Sequence, residues 1–135
     1  VALSEQSIAE SMAPLLGVGG RTRSKEHAEA TADALSRMDP RFISCLCVTP
    51  VPGTPLYADA QAGRFELPSP EETLDELRTI VDKTRVTGAI FRSNHASNWL
   101  PLAGRLPSDR ERLLAAIDAA RRGEVPLMPD EWRGL

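Results

Sequence analysis

The stretch Arg92-Ser93-Asn94-His95-Ala96-Ser97-Asn98-Trp99 gathers a guanidinium, an imidazole, two amides and two hydroxyls directly behind the apolar run Ala89-Ile90-Phe91. An imidazole titrates near pH 6.5, so His95 has the chemistry of a general acid, a base or a metal ligand. It also has the chemistry of a loop organiser, bonding backbone groups that no helix or strand pairs. Both readings stay open on sequence alone.

Two other stretches are comparably dense. In the first, Gly17, Gly19 and Gly20 let the chain turn tightly and come close to a ligand, and Arg21 or Arg23 could meet an anion at the start of the next helix. A dinucleotide fingerprint is excluded, because its third glycine would fall at position 22, where Thr22 stands. In the second, Pro50, Pro52 and Pro55 fix φ around Gly53, a stiff wall able to present Thr49, Thr54 or Tyr57. Thr54 equally suits the N-cap of a short helix beginning at Pro55 and ending at Gly63.

Metal chemistry is weighed on Cys45, Cys47, His27 and His95. Their spacing fits no closed site, and two cysteines two apart in an apolar strand behave as small buried hydrophobes, so no metal site is expected. His27 is expected to be solvated. Glu71, Glu72, Asp75, Glu76, Asp109 and Glu111 are expected on solvent faces or in caps, and no Ser-His-Asp arrangement is visible.

The elements that position these stretches follow from capping and periodicity. Ser24 opens a helix with Ala28, Ala32 and Leu35 on one face, ended by Asp39-Pro40. Ser69, Pro70 and Glu72 form a capping box ahead of Leu74, Leu77, Ile80 and Val81. Ser108 and Glu111 suggest a second box before Leu113, Leu114 and Ile117, with Gly123 as the stop. A weaker helical piece spans Ser4 to Met12. Between the helices, Pro14 to Val18, Phe42 to Val48 and Ala89 to Phe91 read as parallel strands buried on both faces. The fold class expected is α/β, a partial (β/α) barrel of about three parallel strands flanked by amphipathic helices. Residues 1–123 would form it, leaving 124–135 as a surface tail with the Trp132 indole docked. Three strands leave two sheet edges exposed, so oligomerisation through them is a possible outcome.

Composition narrows the classes. The 135 residues suffice for one domain, and a net charge of -3 with interleaved arginines does not favour nucleic acid. No apolar run approaches the roughly 20 residues that span a bilayer, so no membrane partner is expected. Two unpaired cysteines suit a reducing, cytoplasmic setting.

Taken together, LLGVGG, SKEHAEATADAL, TPVPGTPLY, GRFELPSPEE and FRSNHASNWLPLAGRLPSDRERLLAAID resemble the carboxyl-terminal half of a radical S-adenosylmethionine (radical SAM) enzyme. The resemblance runs from about Pro14 to Asp118, and is closest to the group related to oxygen-independent coproporphyrinogen oxidase and the Elongator catalytic subunit. It implies a partial TIM barrel whose earlier half binds a [4Fe-4S] iron-sulfur cluster through C-x3-C-x2-C, with S-adenosylmethionine upon it. That triplet is absent here, so the cluster ligands would lie outside this chain, which would be inactive alone. Carried over, the resemblance gives Gly17, Gly19 and Gly20 to the cofactor side. It gives Thr49, Thr54, Tyr57, Arg92, Ser93, Asn94, His95 and Asn98 to the mouth facing an unassigned substrate, small or macromolecular. The alternative is a non-catalytic fragment or degenerate paralogue acting as an interaction module.

Overall fold

The computed structural model describes residues 11–133. Strands β1 (Ser11–Met12) and β2 (Leu15–Leu16) are two stretches of one extended segment, and β3 (Phe42–Ser44) and β4 (Leu46–Cys47) of the next. β1 runs parallel to β3, and β2 to β4, with Leu16 opposite Cys47. β5 (Ala89–Arg92) lies parallel on the other side of β3, placing Phe91 opposite Ile43. The three expected parallel strands are therefore present and adjacent. A fourth, β6 (Ala103–Leu106), runs antiparallel to β5, so the sheet is mixed and open. Its sequence, Ala-Gly-Arg-Leu, lacks the β-branched and aromatic residues by which a strand announces itself. Of the helical piece expected over Ser4 to Met12, Ser11 and Met12 are strand, and the remainder lies outside the described residues.

Four helices follow: α1 (Ser24–Met38), α2 (Pro55–Gln61), α3 (Pro70–Lys83) and α4 (Arg110–Arg121). The capping box of α3 is complete: Glu72 N–H donates to Ser69 Oγ at 3.1 Å and Ser69 N–H to Glu72 Oε1 at 3.0 Å. Thr54 caps α2 by accepting from Tyr57 N–H at 3.3 Å. Asp39 ends α1 in a left-handed conformation (φ 47°), its carboxylate accepting from both the Thr87 N–H and hydroxyl. Two expected caps differ. Arg23 stands at the N-cap of α1, and Ser24 instead turns its hydroxyl to Glu76. At α4 the N-cap is Asp109 rather than Ser108, and no side chain caps the helix. No helix among the described residues is long and apolar enough to cross a membrane.

The strands alternate, which corrects the expectation of burial on both faces. Leu16, Ile43, Cys45, Cys47, Ala89, Phe91 and Leu106 are buried on one face. They share one core with Ala28 and Leu35 of α1, Leu74, Leu77, Ile80 and Val81 of α3, and Leu113 and Ile117 of α4. Their neighbours in register, Ser11, Leu15, Phe42, Ser44, Leu46, Ile90, Arg92, Ala103 and Arg105, form the opposite face and are exposed or half-buried. Apolar residues on both faces hid this period from the sequence. Phe42 and Leu15 belong to no core here; they coat an uncovered surface.

The expectation of two free edges also needs correcting. The outward backbone of β6 is occupied by the start of α4: Ala103 O accepts from Arg112 at 3.0 Å, and Arg105 N–H donates to the Asp109 carboxylate at 2.8 Å. Arg105 O accepts from Asp109 N–H as well. On the other side, His27 Nε2 lies 2.9 Å from Leu15 O and Gly17 N–H donates to Glu76, so both groups beside β2 are met. His27 is thus half-buried against the backbone, not simply solvated. Among the described residues no strand pairs with the outer side of β1.

Candidate functional site

Because β2, β4 and β5 run parallel, their carboxyl ends open at one rim, and the three stretches rich in polar groups leave from it together. Parallel α/β sheets collect ligands at that end. A small cavity of about 50 Å³ sits there, lined by Gly17, Cys47, Thr73, Trp99 and Arg133 among others.

The rim is organised by a residue that the sequence did not single out. Glu76 of α3 is 1% exposed, against the expectation that it faces solvent. One carboxyl oxygen accepts from Gly17 N–H at 2.9 Å and the other from the Ser24 hydroxyl at 2.5 Å. A single side chain thereby fixes the glycine turn to the first turn of α1. Gly20 N–H donates to Gly17 O and Arg21 N–H to Glu66 O, so the amides at 17, 20 and 21 are used within the fold. Gly17 and Gly20 have positive φ, 84° and 68°; a Cβ at Gly20 would lie 3.2 Å from Glu66 O. Arg21 is held by Glu66 and Glu72, and Arg23 by Glu26.

The second segment needs the third. Beyond Cys45, β4 has no strand on its β5 side, because the chain turns away after Arg92. Side chains of the 92–99 stretch stand in for the missing strand. Asn98 Nδ2 donates to Cys45 O at 2.8 Å, and Cys47 N–H donates to Ser97 Oγ at 3.1 Å. Cys47 Sγ in turn donates to Asn98 Oδ1 at 3.2 Å. Ser93 Oγ bridges Leu100 O and Leu102 N–H, closing the loop at its base. His95 Nδ1 accepts from Ser97 N–H at 3.1 Å and lies 2.9 Å from Ser97 Oγ, which orients that hydroxyl. Ser93, Ser97 and Asn98 are buried and their side chains serve the fold; Arg92, Asn94 and His95 remain exposed.

The tail completes the arrangement. Met128 N–H donates to Trp99 O, Arg133 Nε to Ser97 O at 3.0 Å, and the Arg133 guanidinium lies 3.7 Å from the centroid of the Trp99 ring. The docked group is therefore Arg133, whereas Trp132, expected to dock, is 71% exposed. In the proline-rich segment, Thr54 both donates to Val51 O and caps α2, while the Thr49 hydroxyl is enclosed without a protein partner among the described residues.

Neither cysteine is poised for metal. Burial pushes the Cys45 thiol up, with Cys47 adding to it. Cys47 is pushed up to about 11 by burial, against the lowering effect of Arg133 and of the Trp99 backbone. A metal ligand must be a thiolate, which this surrounding opposes. No group of three or more His, Cys, Asp or Glu able to hold a metal occurs among the described residues. The described residues therefore do not themselves supply a ligand set that fits a [4Fe-4S] cluster.

Compared with protein-family models, curated proteins and solved structures, the chain matches none.

Proposed function

We propose that this chain is the carboxyl-terminal, substrate-side wall of a radical-SAM-type partial (β/α) barrel, with its cluster ligands on a preceding half. The observation that carries the reading is the one-sided sheet. Parallel strands in sequential order, with α1, α3 and α4 buried against one face and no helix on the other among the described residues, have the layout of a barrel wall, with helices outside and the other face toward a lumen. A doubly wound sheet would carry helices on both faces. The shut edge at β6 is also in keeping: further strands would join at β1.

In this reading the preceding half supplies the [4Fe-4S] cluster and the S-adenosylmethionine radical chemistry, which this chain's residues do not. Gly17, Gly19 and Gly20 shape the cofactor side by their backbone, with the amides of Gly17 and Gly20 used within the fold. Tyr57, Arg92, Asn94 and His95 face the substrate, while Thr49, its hydroxyl enclosed, stays within the wall and Thr54, Ser93 and Asn98 hold the loops. The free cysteines suit a reducing compartment such as the cytoplasm.

The test is the polypeptide as the cell makes it. Sequencing the open reading frame upstream of Val1 is expected to reveal C-x3-C-x2-C, and the anaerobically purified product is expected to cleave S-adenosylmethionine reductively. An intact gene product lacking the triplet, or cluster binding by the 135-residue chain alone, would overturn the reading. The exposed Leu15 and Phe42 favour one alternative, an interaction module that works without any cluster half. Light scattering separates the two: a stable assembly of the natural product without iron supports the alternative.

A further inference from the structure

The uncovered sheet face has a charge pattern of its own. Of the 14 arginines in the chain, 11 make ion pairs or donate to backbone carbonyls; among the described residues only Arg41, Arg92 and Arg105 have no such side-chain partner. Arg92 and Arg105 occupy the same face. Register places Arg92 opposite Ala103 and Arg105 opposite Ile90, so the two are diagonal cross-strand neighbours. Such positions are about 7–8 Å apart, within reach of two guanidiniums on one anion. The chain as a whole carries 19 acids against 16 bases, yet among the described residues no Asp or Glu belongs to the strand positions of this face. Around the pair lie Phe42, Ile90 and Leu46, with the Ser44 hydroxyl directly beside Arg92.

We propose that this face binds an amphiphilic acid, a molecule with an apolar body and a terminal carboxylate, sulfonate or phosphate. Two like charges side by side repel and gain nothing for the fold, whereas a shared anion relieves both and is held bidentately by planar guanidiniums. Phe42, Ile90 and Leu46 would take the apolar body. The occupant follows from complementarity: a neutral apolar ligand leaves the arginines unused, and a hydrophilic anion leaves the apolar residues wet. Calling that ligand the substrate rests on the barrel-wall reading above; the binding itself does not.

The experiment titrates the full chain with anilinonaphthalene sulfonate, an apolar body bearing one anion, and with neutral N-phenylnaphthylamine. Saturable binding of the sulfonate is expected. The double variant Arg92→Gln/Arg105→Gln should weaken it by about tenfold, the worth of one charge-assisted contact, leaving the neutral dye unchanged. Both side chains are exposed, so circular dichroism should show an unaltered melt, and the charge-retaining pair Arg92→Lys/Arg105→Lys should keep most of the affinity. Phe42→Ser should weaken both dyes. Sulfonate binding indifferent to the double Gln variant, equal losses of both dyes in that double variant, or no saturable binding overturns the proposal. None of these outcomes bears on the upstream cysteine triplet, so the two readings fail separately.

Discussion

At the scale of single residues, the polar groups of Arg92 to Trp99 are mostly spent on the protein itself. Asn98 is the clearest case, because it satisfies a buried carbonyl and a buried thiol at once. Asn98→Ala should cost about 2 kcal/mol in urea unfolding, the usual penalty for leaving buried partners unmet. Glu76 should matter more. Glu76→Ala strands the Gly17 amide and the Ser24 hydroxyl together and is expected to cost about 3 kcal/mol, with Glu76→Gln falling between it and the parent. The helical spacing of Thr73, Glu76, Leu77 and Ile80 already put this carboxyl on the buried stripe. An isolated carboxylate belongs in water, and the partners that draw this one inside lie 59 and 52 positions away, beyond any local pattern. Cys47 gives a test with a pH axis. A thiol near 11 is thiolate in only about one molecule in a thousand at pH 8. Alkylation of the native chain should therefore be slow at pH 8 and rise about tenfold per pH unit toward 11, then level off. A fast reaction at pH 8 would contradict the burial described here.

At the scale of elements, local chemistry was legible where it closes within one turn and illegible where it closes across the fold. The capping box at Ser69 and the Thr54-Pro55 start could be read directly, since donor and acceptor lie three residues apart. Ser24 and Ser108 looked equivalent, but Glu76 claims the first, and the tight turn joining β6 to α4 moves the cap to Asp109. Ser69→Ala should lower stability by about 1 kcal/mol, measured in urea. Acid unfolding examines the helix junctions. The hydrogen bond from Arg78 holds the Asp118 carboxyl below its ordinary value, and backbone donors from Arg105 and Ser69 do the same for Asp109 and Glu72. A carboxyl lowered in the folded state contributes stability above its ordinary value and loses it as pH falls through the folded value. Stability should thus decline below about pH 4. Asp118→Asn should flatten that decline, while leaving α3 and α4 without their 2.8 Å ion pair at every pH.

At the scale of the molecule, the sheet has one finished face and one unfinished face, and the same substitution should behave oppositely on each. Phe91→Ala opens a cavity in the core and is expected to cost about 3–5 kcal/mol. Phe42→Ala, one strand away but on the uncovered face, should change stability by less than about 1 kcal/mol. Thermal melts of the two variants check the assignment of faces, and equal losses would mean that the second face is covered after all. The α/β class, the parallel order of the first three strands and their common rim were readable in the sequence. The fourth strand and the sidedness were not, because four unremarkable residues form the former and apolar side chains coat both faces of the latter. The guanidinium and carboxylate of Arg112 and Asp109 block the far border of β6, and this limits how copies of the chain can associate. Among the described residues the sheet is open only along β1, and a body that offers backbone on a single flank can join hands once. It can make pairs, but it has nothing left with which to build a fibre.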